Sequence, residues 1–463
     1  MNLIDSIINN LPEVARPTQQ KLSFKEKLKW TGITLVLFFV LGLIPLFGLG
    51  QNALRNFELL SVILGASFGS VISLGIGPIV TASIVLQLLN GSGLVKFDLT
   101  SKAGKARFQG LQKVLAVFFV IFEASIYVFM GGLAPAEELV GTSLYLQLEL
   151  LLIFQLVLGG LLIMLMDEVT TKWGFGSGVS LFIAAGVSQS LFIRLFSPLP
   201  SPTNPEVMTG AIPALFQSLS AGDPQTALLM LVGILSTALV FAIAVYAQSM
   251  KVEIPLSFGR VRGHGIRWPL NFVYTSNMPI ILMSALLANV QLWARFLQNW
   301  GYPILGTFAG NAPATGFVSW IAPQDVIGAA IRGGLTLQMV LQSVVYLTFM
   351  IVGAVVFSWF WVQTSGMDAR SQAKQIMASG LQIPGFRKDE RVLERLLERY
   401  VNPLTIMGAI SVGLLAGIAD VSGSLTHGTS LLLSVMIIYR LYEDIARQHL
   451  MDMNPMMRKF MGG

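Results

Sequence analysis

GSVISLGIGPIVTASIVLQLLNGSG, residues 69–93, is apolar enough to lie in a bilayer, yet Gly75, Gly77 and Pro78 interrupt it. Glycine is conformationally free and proline lacks an N–H group, so a continuous helix through this point is disfavoured. Backbone groups freed in hydrocarbon need partners, so such a segment belongs where it is buried in protein or lines a cavity. The pattern predicts a short re-entrant piece at about 57–73 and a helix over 76–89. The competing interpretation is a plain membrane helix kinked at Pro78.

The composition around this stretch is that of a membrane protein. Hydrophobic residues make up 54% of the 463 residues, charged residues make up 12%, and the mean hydropathy is +0.70. An ordinary soluble domain carries about 25% charged residues. The absence of cysteine excludes disulfides, thiol catalysis and cysteine-ligated metals. Only three histidines occur and none lies in an HExxH motif, so a zinc protease has no support.

Ten apolar segments have about the length that a hydrocarbon core of roughly 30 Å requires. They cover residues 33–49, the interrupted segment, 108–131, 144–166, 179–196, 227–248, 271–293, 335–362, 404–418 and 429–442. We therefore predict an all-α polytopic membrane protein with ten transmembrane helices. The halves, 33–196 and 227–445, meet at an external loop over 197–226. Five spans in each half would give the halves opposite orientations, so an inverted repeat is possible, although no residue-level match between them is evident.

The basic residues predict the orientation of the chain. With the N-terminus inside, only Arg55, Arg194, Arg295 and Arg332 of the 30 Lys and Arg residues lie outside. The positive-inside rule then places both termini in the cytoplasm. The segment 1–32 carries a basic amphipathic pattern at 21–30 that is typical of a helix on the membrane surface, and residues 446–463 form a cytoplasmic tail.

Two basic loops, 249–270 and 363–403, lie on the predicted cytoplasmic side. The first alternates apolar and polar residues before a glycine-rich tip that holds Arg260 and Arg262, which predicts a hairpin. The second places Arg387 and Lys388 before a helix over about 388–400. Solvated loops that merely obey the charge rule are one interpretation. The other is a docking surface for a large anionic partner, because clustered arginines contact phosphates well.

Charge within the predicted spans is nearly absent, and Glu123 is the clear exception. A carboxylate inside a membrane is a candidate functional group by default. Thr81 and Asn289 add neutral polar groups within spans. One carboxylate is few for an ion-coupled transporter, and no paired base for a serine hydrolase is evident.

Five motifs together resemble the SecY family, the channel subunits of the Sec protein translocon, in its archaeal form. They are LGIGPIVTASIVLQLLNGSG (74–93), KEKLKWTG (25–32), GFGSGVSLFIAAGVSQS (174–190), VEIPLSFGRVRG (252–263) and LANVQLW (287–293). The resemblance extends over essentially the whole chain, with the same number of spans in the same order.

The resemblance implies roles for residues that match the family pattern. A plug at about 57–73 would seat in the pore from outside, and its residues would include Leu60, Ile63, Leu64, Gly65, Ser67 and Phe68. The pore ring would consist of Ile76, Val80, Val179, Ile183, Ile281 and Leu433, all aliphatic. A lateral gate would carry a polar cluster of Thr81, Glu123 and Asn289, and ribosome docking would use Arg260, Arg262, Arg387 and Lys388. Independently of the family, a narrow apolar ring dewets and so blocks ions.

The resemblance also implies function and partners. The chain would translocate unfolded secretory polypeptides across the cytoplasmic membrane and release transmembrane segments sideways into lipid, with no cofactor and no covalent chemistry. Its partners would be a SecE-type (gamma) subunit, a small beta-type subunit, a translating ribosome, nascent chains that bear signal sequences, and membrane lipid. The chain has no GxxxxGK[ST] phosphate-binding loop, so the driving force must come from elsewhere. The alternative is a secondary transporter with inverted repeats and a broken helix at the midplane.

Overall fold

The computed structural model describes residues 10–18, 22–50, 69–91, 94–95, 97, 102–129, 131–200, 207–258, 265–275, 278–309, 312–378, 381–382 and 389–453. Its helices are α1 Phe24–Leu43, α2 Gly77–Gly91, α3 Lys102–Phe129, α4 Ser143–Trp173, α5 Gly178–Phe196, α6 Ala211–Ala221, α7 Pro224–Ser249, α8 Met278–Asn299, α9 Gly316–Trp320, α10 Val326–Ile331, α11 Leu337–Thr364, α12 Ala369–Ala378, α13 Glu390–Val421 and α14 Gly428–Met453. Its strands are β1 Lys251–Phe258, β2 Gly265–Asn271, β3 Thr307–Ala309, β4 Ala312–Thr315 and β5 Leu381–Gln382.

Each of the ten predicted spans corresponds to a helix: α1, α2, α3, α4, α5, α7, α8, α11, α13 and α14. Within the described residues, seven of these (α3, α4, α5, α7, α8, α11 and α13) are long and apolar enough to cross a membrane. The prediction of an all-α polytopic membrane protein is confirmed. The expected plug residues Leu60, Ile63, Leu64, Gly65, Ser67 and Phe68 lie outside the described residues.

Helix α1 differs from its prediction. A surface helix at 21–30 and a separate span at 33–49 were expected, but one helix runs without interruption from Phe24 to Leu43. The Ser23 side chain caps its start by accepting a hydrogen bond from the Glu26 N–H group. The helix ends before Ile44, which is extended because the next residue, Pro45, disfavours helical backbone in the residue before it.

Helix α13 likewise joins two predicted elements. A cytoplasmic helix over 388–400 and a span over 404–418 form a single helix of 32 residues. Pro403 lies inside this helix. Val401 before the proline and Leu404 and Thr405 after it are all buried, so the helix packs against the protein on both sides of Pro403. A helix of this length spans roughly 48 Å, so it extends from the second basic loop into the helical bundle.

The two basic loops share one folded unit. Strands β1 and β2 form the predicted hairpin, with Lys251 opposite Asn271 and Ser257 opposite Gly265. Strand β5, from the second loop, pairs antiparallel with the end of β1, which gives a three-stranded sheet in the order β2-β1-β5. Ile254 of this sheet packs in one apolar cluster with α12 and the first turns of α13.

Candidate functional site

The interrupted stretch folds as consecutive turns followed by a helix. Residues 71–76 are turns, and α2 begins at Gly77. Gly75 has a φ of +56°, a left-handed conformation in which glycine carries no steric penalty. The backbone N–H groups of Ser73, Gly75 and Gly77 each donate to the carbonyl three residues earlier. The predicted break is therefore confirmed, and its backbone groups have partners inside the protein.

The rest of the molecule holds these turns in place. Val71 N–H donates to the Ile44 carbonyl, and Leu46 N–H donates to the Gly69 carbonyl, which ties the turns to the end of α1. Gly159 of α4 lies against the turns so closely that an added Cβ would be 1.8 Å from the Val71 carbonyl oxygen. The segment before α2 is thus buried in protein, as broken backbone at membrane depth requires.

The six aliphatic residues expected to form the pore ring come together in one central cluster. Ile76, Ile183 and Leu433 are buried members of this cluster. Val80, Val179 and Ile281 are partly buried and pack against it. The six come from four parts of the chain: the start of α2, α5, α8 and α14. Aliphatic side chains that four parts of the chain contribute to one buried cluster have the composition of an apolar constriction.

A cavity of about 530 Å³ borders this cluster on one side. Val80, Val179 and Ile281 of the ring contribute to its wall. Polar and charged residues also line the cavity: Ser83, Gln112, Asp167, Ser177, Ser180, Arg440 and Asp444. The cavity wall therefore combines apolar ring residues with polar and charged groups, which is the lining expected of a water-filled vestibule beside the ring.

The expected polar cluster is only partly assembled. The Thr81 side chain on α2 lies next to Glu123 on α3 and interacts with it, while its hydroxyl donates to the Gly77 carbonyl of its own helix at 3.0 Å. Asn289 on α8 is exposed, and its amide Nδ2 donates to the Ala285 carbonyl of its own helix at 2.8 Å. Glu149 of α4 is a further carboxylate within a predicted span, so the view of Glu123 as the clear exception was wrong.

The seam between the two halves is largely apolar near these residues. One buried cluster contains Val120 and Ala124 of α3, Leu152 and Leu156 of α4, and Ala288 of α8. Helix α2 packs against α11 along the same side of the molecule. Close packing without strong polar links is suited to an interface that separates and re-forms, because the apolar side chains are equally soluble in lipid tails.

The residues expected to contact a ribosome, Arg260, Arg262, Arg387 and Lys388, lie outside the described residues. The structure does show the scaffold next to them. The Tyr274 hydroxyl donates to the Met367 carbonyl at 2.7 Å, which links the base of the first loop to the start of the second. Burial raises the pKa of Tyr274 to about 12, so this hydroxyl remains a donor at neutral pH. The sequence did not predict that the two loops join through the pairing of β5 with β1, because β5 has only two residues.

Two further carboxylates were missed because they lie one or two residues beyond the predicted spans 144–166 and 404–418. The structure places Asp167 inside α4 and Asp420 inside α13. Asp167 Oδ1 accepts the Val179 N–H group at 2.8 Å, and Asp420 Oδ2 accepts the Tyr346 hydroxyl at 2.7 Å. The signal available in the sequence was an aspartate that precedes a G-x-S-L motif in each half.

Comparison with known proteins gives consistent matches. The family model described as SecY matches residues 70–442. The protein translocase subunit SecY of Methanothermobacter thermautotrophicus is 46% identical over 462 residues, which cover 99% of this chain and 98% of that protein. The Pyrococcus furiosus protein translocase subunit SecY is 42% identical, with 97% of each chain covered.

Solved structures agree with this pattern. A structure described as a protein conducting channel is 39% identical, with a TM-score of 0.80, and the match covers 97% of this chain and 98% of that one. Sec61 in the canine ribosome–channel complex from the endoplasmic reticulum is 39% identical, with a TM-score of 0.78 and the same coverage.

Proposed function

The chain belongs to the SecY family, and from this premise we propose that its six central aliphatic residues form the constriction of a protein-conducting channel. The channel translocates unfolded secretory polypeptides across the cytoplasmic membrane and releases transmembrane segments sideways into lipid. The observation that carries the assignment is that Ile76, Val80, Val179, Ile183, Ile281 and Leu433 all belong to one apolar cluster, and that three of them line a cavity with polar and charged residues. An apolar ring of this kind blocks ions by dewetting while leaving room for a chain to part its side chains.

The experiment that tests this function is site-specific crosslinking from a photoreactive residue at Ile281 to a ribosome-stalled secretory chain. We expect crosslinks only when the chain carries a functional signal sequence, because Ile281 borders both the ring and the vestibule. Leu286, an exposed residue of the same helix, is the matched control and should not crosslink to the chain. Equal crosslinking from both positions, or none from Ile281, contradicts the assignment.

We place the lateral gate between α2 and α3 on one side and α8 and α11 on the other. Support comes from the apolar cluster that α3 shares with Ala288, and from the packing of α2 on α11. The Thr81–Glu123 pair holds α2 to α3 on the N-terminal side of the gate. Residues 57–73 act as the plug in this proposal, because the described turns at 71–76 lead directly into α2 beside the central cluster.

The two basic loops form the docking surface for a translating ribosome, with Arg260, Arg262, Arg387 and Lys388 as contacts. The pairing of β5 with β1 supports this, since it joins both loops in a single scaffold. The similarity to Sec61 in a ribosome–channel complex supports it as well. A SecE-type (gamma) subunit and a small beta-type subunit complete the complex. Both termini lie in the cytoplasm.

We predict that Arg387→Glu weakens ribosome binding, and that the loss is greatest at low salt because phosphate contacts are electrostatic. Arg267→Glu is the matched control, because Arg267 sits on the hairpin stem and is already paired with Glu253 at 2.9 Å. Cosedimentation with ribosomes across a salt titration measures the effect. Unchanged affinity of Arg387→Glu at every salt concentration removes this residue from the docking surface.

A further inference from the structure

Helices α5 and α14 run antiparallel beside each other and carry three of the six ring residues. At one end, Phe24 of α1 packs against both Phe175, just before α5, and His449, late in α14, with ring centroids 5.4 and 5.1 Å apart. At the other end, Arg194 near the end of α5 donates to the Leu425 carbonyl, just before α14, at 2.9 Å. The N-termini of α5 and α14 therefore lie at opposite ends of the molecule.

An aspartate from the preceding helix holds the first turn of α5. Asp167 of α4 accepts hydrogen bonds at Oδ1 from the Val179 N–H group at 2.8 Å and the Ser177 hydroxyl at 3.5 Å. Gly178 permits this approach, because an added Cβ would lie 2.5 Å from the Asp167 Cα atom. The free N–H groups of a helix start are normally satisfied by a residue next to them in sequence, whereas here the partner of the Val179 N–H group lies twelve residues away.

The same arrangement recurs at the start of α14. Asp420 of α13 accepts the Gly428 N–H group at Oδ1, at 2.7 Å. Its Oδ2 is fixed by the Tyr346 hydroxyl of α11 at 2.7 Å, and the His427 Nδ1 atom lies 3.6 Å from Oδ1. Gly428 is again at the close approach, since an added Cβ would be 2.1 Å from the Ala416 carbonyl oxygen.

The two junctions also match in sequence. GVSLFI over 178–183 aligns with GTSLLL over 428–433, with Gly, Ser and Leu identical and the last two positions apolar in both. The last three residues are buried in each case: Leu181, Phe182 and Ile183 in α5, and Leu431, Leu432 and Leu433 in α14. In both helices a ring residue, Ile183 or Leu433, stands five positions after the glycine. Helix α5 adds a second ring residue, Val179, whose own N–H group Asp167 accepts.

We infer that Asp167 and Asp420 are matched positioning residues that set the depth of the ring residues on α5 and α14 from opposite ends of the molecule. The inference rests on the proposed ring. Five residues correspond to roughly 7.5 Å of helix, so each cap lies about that far along its helix from Ile183 or Leu433. Each carboxylate is fixed on a neighbouring helix, and it therefore prevents the helix that it caps from sliding or rotating. The ring is thus held at one level by two anchors on opposite sides of it.

The test uses the full chain in its native complex, reconstituted in vesicles, with Ile183→Cys and Leu433→Cys introduced together. The chain has no cysteine of its own, so a short bifunctional thiol reagent reports only this pair. We expect Asp167→Ala or Asp420→Ala to lower the crosslinking rate about fivefold, the factor that corresponds to the ~1 kcal/mol of a lost cap. Asp167→Asn and Asp420→Asn should restore the rate to within about twofold, because the amide oxygen still accepts the N–H bond.

Asp223→Ala is the matched control, since Asp223 caps the ring-free helix α7 through the Gln225 and Thr226 N–H groups. If Asp167→Ala does not fold, Gly178→Ala takes its place, because it keeps the carboxylate and displaces the cap. Unchanged crosslinking in these variants, or an equal loss in Asp223→Ala, overturns the inference. A closed-channel ion leak measured in parallel on Ile183→Gly tests the ring separately, since the crosslink reports position whether or not the ring blocks ions.

Discussion

The two halves of the molecule meet at two interfaces that differ in their packing. At the back, α14 of the C-terminal half packs along α5 of the N-terminal half. Lys27 Nζ and Arg194 Nη1 donate hydrogen bonds to Gln448 and Leu425 across this interface, each at 2.9 Å. At the gate, α2 meets α11 over a shorter contact, and α3 meets α8 through the small apolar cluster around Ala288.

The difference indicates which interface opens. A polar contact at each end of α14 resists separation, because every broken bond leaves groups to be satisfied elsewhere. The apolar gate seam loses little free energy when lipid or an arriving hydrophobic segment replaces the helix packed on the other side, since lipid tails are as apolar as the side chains. We therefore expect the back interface to act as a hinge and the halves to part at the gate seam.

The largest expected effect comes from crosslinking the gate seam. With Ala124→Cys and Ala288→Cys joined by a bifunctional thiol reagent, we expect translocation of a secretory reporter to fall in proportion to the crosslinked fraction. Both residues are buried in the cluster that spans the seam. Translocation into proteoliposomes, before and after reduction of a cleavable reagent, measures the effect.

The matched control joins the back interface instead, through Val187→Cys on α5 and Leu431→Cys on α14, which are buried in the central cluster. We expect a loss of less than about twofold, because this interface stays closed during opening. A block of equal strength from both pairs would remove the distinction between hinge and gate.

A second large effect concerns the ring, which draws residues from both interfaces. We expect joint replacement of Ile76, Val80, Val179 and Ile183 by glycine to leave the closed channel leaky to ions, because the dewetting side chains are gone. Conductance of the resting channel in planar bilayers measures the leak. The control places four glycines at exposed apolar positions of α11: Leu341, Val344, Val352 and Val356. This control variant has a similar helix-propensity cost of about 1 kcal/mol per site. If it leaks as much as the ring variant does, the assignment of these residues to a pore ring is refuted.

The smallest effects separate the members of the polar cluster. Thr81→Val removes the hydroxyl that interacts with Glu123. A hydrogen bond in a membrane protein contributes about 0.6 kcal/mol. We therefore expect about a threefold rise in the sideways insertion of a weakly apolar segment. Asn289→Ala should change insertion by less than twofold, because the amide bonds within its own helix. Glycosylation-site mapping of a reporter segment measures both. A larger effect of Asn289→Ala would place that amide in the closed seam.

Much of this architecture is predictable from the sequence. The Gly75–Pro78 interruption, the ten helices and the β1–β2 hairpin follow from local patterns: glycine and proline placement, apolar run length and alternation. The aliphatic character of the ring is likewise visible in the sequence, although its assembly from four segments was implied by resemblance to a family and not by the pattern.

The missed features depend on contacts distant in the chain. The predicted bounds of α1 and α13 were wrong. The length of an apolar run marks only the membrane portion of a helix, whereas the helix itself continues into polar sequence up to a cap or a proline. The caps by Asp167 and Asp420 were missed because each bonds a helix start eight or more residues away. The G-x-S-L match was hidden because its two copies are short and 250 residues apart.

The three-stranded sheet also imposes an order on biosynthesis. Strand β2 ends at Asn271, but β5, which completes the sheet, does not begin until Leu381. At about 5–20 residues per second, roughly 5–20 seconds of elongation separate the hairpin from its third strand. During that interval α8 and α11 must emerge and enter the membrane before the sheet can close. A newly made copy therefore acquires its complete ribosome-facing scaffold only after most of its own spans have been inserted by a pre-existing machine.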